Sequence, residues 1–288
     1  MNLLLSLCLA VHTAALMAWF GAYSLHRALG VALSPPVRRG LTRAGHLALV
    51  SGLLYPFLQT ACVHEDPAAG LDPAQVLELL TQTSFGLSWL VRLGFVALAV
   101  LASRVPLLVA GRAVYFLLAA ALASLALCGH AAAGQGVEGT AARLLLGLHL
   151  LAAGAWVGAL PLLWDLAGRS AAPDLARTLR RFSVYGMGLV GLVVLSGVIS
   201  AWIRIGGLEL LVATSYGWLL LGKVALVGLM GAAALLNRNR YTPRLDHGDW
   251  AMREAARSGL RASVAAEMAL GLLVVLIAAL LGNAEAPR

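Results

Sequence analysis

The sequence is poor in charge. Only 12% of its 288 residues are Asp, Glu, Lys or Arg, while 60% are hydrophobic; soluble domains carry roughly a quarter charged residues. Water-soluble folds of this length do not show repeated, nearly charge-free runs of ~20 residues, the length that crosses ~30 Å of hydrocarbon. The signatures of soluble enzymes are missing too. There is no Gly-x-x-x-x-Gly-Lys-Ser/Thr phosphate loop, no Gly-x-Ser-x-Gly elbow and no His-Glu-x-x-His pair. No Cys-x-x-Cys-His segment occurs, which excludes covalent haem attachment. No polar connection is long enough for a soluble domain. The net charge of +8 sits in loops between apolar runs, so it reads as a topology signal and not as a nucleic-acid face.

What remains is an all-α polytopic transmembrane bundle in the lipid bilayer. The apolar runs predict eight spans, at about 3–25, 42–63, 85–103, 113–131, 142–166, 181–203, 216–237 and 260–282. Strands are excluded because an open sheet edge cannot be satisfied in lipid. The chain opens Met1-Asn2 without positive charge and stays apolar to about Tyr23, so the first run is expected to be a retained span and not a cleaved signal. Gly154 and Gly158 are a small-xxx-small packing pair, and Gly186, Gly188 and Gly191 predict another close helix approach.

Charge predicts the orientation. The loops after spans 1, 3, 5 and 7 hold 16 of the 21 basic residues, from Arg27 to Arg261, while Glu65, Asp66, Asp72 and Glu78 follow span 2. By the positive-inside rule the odd-numbered loops are cytoplasmic, which puts both termini on the periplasmic side.

That orientation turns scattered polar residues into a layer. Cys8 and His12 fall four apart on one face of span 1, in its outer half. Cys62-Val63-His64 closes span 2 and Cys128-Gly129-His130 closes span 4, a repeated Cys-x-His at the outer surface. His149 lies about eight residues into span 5, ~12 Å deep. Thiolate and imidazole together suit copper or zinc, although small thiols also pack well in apolar cores. His12 and His149 are the strongest candidates, because ionisable groups deep in spans usually mark function. Cys62 and Cys128 have a further reading as a disulfide. Arg92 and Lys223 share the same depth, and Glu267 enters from the cytoplasmic side. Met17 and Met268 also stand in spans, where isolated methionines usually pack. His26, His46 and His247 are assigned no role.

The C-terminal half carries a resemblance. His149-Leu-Leu-Ala-Ala-Gly-Ala-Trp-Val-Gly-Ala-Leu160 resembles the HLLAAAxWxGGL segment of the CopD copper-resistance family. Arg181-Phe-Ser183 through Gly197 to Trp202, Ser215-Tyr-Gly-Trp-Leu-Leu-Leu-Gly-Lys223, Asn237-Arg238 and Leu260-Arg-Ala-Ser-Val-Ala-Ala-Glu267 resemble its further blocks in order. Ala159 departs from the pattern, standing where a second glycine is usual.

The resemblance covers residues 141–288 and implies a bacterial inner-membrane protein that takes copper from a periplasmic CopC-like carrier and passes it inward. The chain divides accordingly into an N-terminal four-span half, 1–140, and a CopD-like half, 141–288. His12 and His149 are then expected as core copper ligands, with His130, Cys128, Cys8, His64 and Cys62 around the entrance. The alternative is non-covalent haem held axially by His12 and His149, with Arg92 and Lys223 on its propionates. No enzymatic reaction is expected.

Overall fold

Capping residues decide where the apolar runs become helix. In the computed structural model, which describes residues 2–105, 112–128, 136–204, 207, 209–247 and 249–283, α1 spans Asn2–Leu29 and α2 spans Pro35–Val63. Ser34 caps α2 by accepting from the Val37 N–H, with prolines at its first two positions, so α2 begins seven residues before its apolar run. The short α3, Pro73–Gln82, leads into α4, Ser84–Ala102, which Thr83 caps through the Gly86 N–H at 2.9 Å. Helix α5, Arg112–Ala123, tightens into a 3-10 turn at Ser124–Leu127.

The fifth span is two helices. α6, Gly136–Val157, and α7, Leu160–Arg169, meet at a break over Gly158 and Ala159, where Pro161 cannot donate to the Val157 carbonyl. α8 runs Ala172–Arg204, the one-turn α9 runs Leu210–Ala213, and α10 runs Ser215–Leu236. A π-helical turn at Asn237–Tyr241 carries the chain into α11, Thr242–His247, and α12 spans Trp250–Asn283. The expected loop at 238–259 is therefore largely helical.

No strand occurs among the described residues. Seven helical segments are long and apolar enough to cross a membrane, and Arg112–Leu127 is a shorter apolar eighth. The end of the fourth predicted span, 129–131, lies outside the described residues.

Helix α1 is the hub. It packs against α2, α5, α6, α7 and α12, and so contacts both halves of the chain. At one end of the bundle arginines close the loops onto helix carbonyls: Arg181 donates to Leu29 O, Arg257 to Ala167 O and Ser170 O, and Arg180 pairs with Asp246. At the other end Asn283 donates to Ser6 Oγ at 2.9 Å. The arginine-rich loops thus gather at one end of the bundle.

The Gly154/Gly158 expectation holds in detail. A Cβ on Gly158 would lie 1.8 Å from Met17 O, and one on Gly21 would lie 2.2 Å from the Gly158 carbonyl carbon. Backbone therefore meets backbone where α1 crosses the α6–α7 break. The second glycine expectation fails. A Cβ on Gly188 or Gly191 meets nothing within 4 Å, and one on Gly186 meets only Phe182 of its own helix. α8 packs on α6 further along, at Ser196 and Gly197, while Gly188 and Gly191 are exposed.

Candidate metal-binding site

The half of the bundle away from the arginine-rich end contains a small cluster built on two stacked rings. Tyr55 of α2 and Trp89 of α4 lie 4.3 Å apart between centroids and 17° from parallel, and both are buried. Cys8 of α1, Cys62 of α2 and Cys128 after α5 all pack against this cluster. Three cysteines far apart in sequence thus reach one place. All three are free thiols, so the further reading of Cys62 and Cys128 as a disulfide is not realised. Cys128 Sγ is engaged instead by Ser88 Oγ at 3.1 Å and by Arg92.

Arg92 is the unusual member. It is fully buried on α4. Its Nε donates to Ser124 Oγ at 3.0 Å, and Nη2 donates to Ser124 O at 2.7 Å and to Cys128 Sγ at 3.3 Å. The 3-10 turn at 124–127 makes this possible, because a tightened helix end leaves carbonyls to be met from outside. The guanidinium carbon lies 4.4 Å over the Trp89 ring, a favourable stack for a desolvated cation. Nη1 has no partner, and Arg92 takes part in no ion pair found among the described residues. Burying an ion costs several kcal/mol unless it is compensated. The hydrogen bonds and the indole face offset part of that, and the pocket is left short of one negative charge.

His12 is equally enclosed. Its Nδ1 lies 2.8 Å from Ala48 O, and Trp89 stands 5.4 Å away between ring centroids. A carbonyl can only accept, so Nδ1 carries hydrogen and the neutral ring presents a bare lone pair at Nε2. That atom is buried without a partner. A histidine fixed through one nitrogen to a carbonyl, with the other free, is arranged as metal-ligating histidines are. Gly52 makes the room: a Cβ there would come within 2.9 Å of His12 Cε1.

The other sequence-predicted residues fall elsewhere. His149 of α6 is half-buried and turned to α8, its Nδ1 2.9 Å from Ser196 Oγ, whereas His12 faces α2 and α4. The two histidines therefore face different helices, and the bis-histidine haem reading gains no support. His64 is exposed at the C-cap of α2, two residues from Cys62. His130 lies outside the described residues. Lys223 is half-buried on α10, which packs on α12 and not on α4, so it does not share a site with Arg92. Glu267 is buried and accepts from Asn237 Nδ2 at 2.6 Å, which joins two of the blocks that carry the resemblance. Among the described residues, no three His, Cys, Asp or Glu side chains stand where they could hold one metal ion together.

Sequence reasoning missed Tyr55, Ser88, Trp89 and Ser124, which build the site. Helical spacing carried a signal for them. Ser88 and Trp89 precede Arg92 by four and three residues, and Ser124 precedes Cys128 by four, so each lies on its partner's face.

Residues 1–140 match the copper resistance protein D-like N-terminal domain, and residues 176–281 match copper resistance protein D. Over 287 residues the chain is 33% identical to copper resistance protein D of Pseudomonas syringae pv. tomato, covering 93% of this chain and 90% of that one. It is 30% identical over 213 residues to inner membrane protein YebZ of Escherichia coli K12, with 73% and 72% covered. It is also 29% identical over 234 residues to copper transport protein CutJ of Bacillus subtilis 168, covering 76% of this chain and 40% of that protein. No solved structure gives a significant match.

Proposed function

Because the chain belongs to the copper resistance protein D family, we propose that it carries Cu(I) inward across the bacterial inner membrane, with the Cys8, Cys62, Cys128 and His12 cluster as its entrance. The observation that supports this reading is that all three thiols pack against the Tyr55–Trp89 ring pair, one of them, Cys128, against a buried guanidinium with no carboxylate partner. Soft thiolates select Cu(I), and ligation replaces the thiol proton with the metal. Two thiolates around one Cu(I) leave a net charge of −1, which Arg92 neutralises. A cation beside a copper site, repulsive to the free ion, thereby becomes its counter-charge.

His12 is the next donor inward. It follows Cys8 by one helical turn, ~6 Å along α1, and its free Nε2 can exchange for a thiolate without a change of fold. Transfer proceeds by ligand exchange, with the membrane potential and cytoplasmic copper acceptors as driving force, since the sequence holds no nucleotide loop. The arginine-rich end faces the cytoplasm and both termini face the periplasm. A CopC-like carrier delivers copper to the outer end, where exposed His64 is a first contact, and His130 is a further candidate by its place in the sequence. His149, hydrogen-bonded at the α6–α8 contact, stays a candidate ligand for the C-terminal half.

Chelator competition on the reduced, detergent-purified protein tests the entrance. The triple variant C8S/C62S/C128S should bind Cu(I) more than ~100-fold more weakly, beyond the 10–100-fold that loss of a supporting partner costs. Unchanged affinity in that variant would remove the thiols from the account.

A further inference from the structure

Helix α1 has a second chemically distinctive face. His12 points to α2 and α4, but Met17, five residues and ~7.5 Å further along, points to the opposite half of the bundle. Met17 and Met268 line one half-open cavity of about 130 Å³, bounded by α1, the α6–α7 break and α12. Met17 is buried and Met268 half-buried. A third methionine adjoins: the fully buried Met230 has its Cε 3.5 Å from where a Cβ on Gly271 would sit, and Gly271 also lines the cavity. Three of the chain's six methionines therefore meet at one junction of α1, α10 and α12.

We propose that this cavity is a second Cu(I) site, held by the thioethers of Met17 and Met268. The inference rests on the copper reading above and adds to it an intermediate station inside the membrane. Methionine is flexible enough to fill irregular gaps, and where it serves packing alone it closes them. Here two methionines flank a space that stays open. Every other side chain lining it is apolar, so the two sulfurs are its only side-chain donors. A hydrated divalent ion would lose its water there with nothing to replace it, whereas thioether sulfur is a ligand suited to Cu(I). Val157 and Pro161 line the same cavity, and the Val157 carbonyl lacks its helical donor because Pro161 has no N–H.

The chemistry also fits a station and not a store. Thioethers are neutral, so the bound ion keeps its positive charge in an apolar surround and is held less tightly than at the thiols.

The test labels the thioethers. Protein produced with selenomethionine, reduced and loaded with Cu(I), is measured by X-ray absorption at the selenium and copper edges, beside the variant M17L/M268L. Leucine keeps the volume of the site, and M187L serves as the control at an exposed methionine. The proposal expects copper–selenium scattering in the parent and in M187L. In M17L/M268L that scattering should vanish while the copper–sulfur scattering of the cysteine site remains. Copper bound with sulfur and nitrogen neighbours alone, and no selenium in the parent, overturns the thioether site and leaves the entrance standing. A parent that binds no copper at all overturns both.

Discussion

Arg92 decides how the outer cluster is read at the scale of single residues. From sequence alone a cation at that depth argues against a copper path, and only its placement against Cys128 turns it into a counter-charge. The substitution R92Q keeps much of the hydrogen-bonding capacity and removes the charge. It should weaken Cu(I) binding by about 10–100-fold, the range a charge-assisted contact of 1.5–3 kcal/mol commands; chelator competition reads it directly. An affinity equal to the parent's would mean that Arg92 is structural. His12 makes a complementary prediction. H12A should leave the thiol affinity within about tenfold but slow copper passage in vesicles, because Nε2 acts after the thiols in the proposed order.

The residue scale is also where sequence reading was strongest and weakest. The Cys-x-His repeat and the Cys8/His12 pair singled out three cysteines that pack against one ring pair, because helical spacing and orientation are enough to place a side chain by depth. Depth does not give direction around the helix axis. His149 and Lys223 lie on helices that turn to α8 and α12, so two residues matched in depth to His12 and Arg92 are not their neighbours.

The break between α6 and α7 and the π-helical turn after α10 are the two departures from plain spans at the scale of elements. Both sit on blocks that carry the family resemblance, and neither was visible as a break in hydropathy, since both stay apolar or run smoothly into polar loop. The first lets α1 cross at backbone contact. G158A should destabilise the fold by about 1–3 kcal/mol or more, because a methyl there meets rigid Met17 backbone. G188A, at a position open to its surroundings, should be neutral. Thermal unfolding in detergent compares the pair, and equal midpoints would contradict the crossing. The second departure places Asn237 against Glu267. E267L leaves the Asn237 amide without its buried partner, and the same assay should show a loss of about 1–3 kcal/mol.

Orientation is the claim that belongs to the whole molecule. The gathering of arginine-rich loops at one end of the bundle was legible from charge counting, as was the all-α bundle, in which seven helical segments are long and apolar enough to cross a membrane and Arg112–Leu127 is shorter. Helix starts moved where a cap lies well outside the apolar run, as Ser34 does for α2, whereas Thr83 and Thr214 cap helices that begin within one residue of theirs. If the arginine-rich end is cytoplasmic, a cysteine at exposed position 66 should react with a membrane-impermeant maleimide in intact spheroplasts, and one at exposed position 177 should not. The reverse pattern would invert the direction of transport.

Copper flux into proteoliposomes tests the central claim most directly. Purified protein is reconstituted, Cu(I) is supplied outside under reducing conditions, and entry is followed by an enclosed Cu(I) chelator. The account predicts uptake above protein-free vesicles for the parent and uptake at the protein-free rate for C8S/C62S/C128S. Parent-like uptake by the triple variant would contradict it, because copper would then be crossing without the thiols.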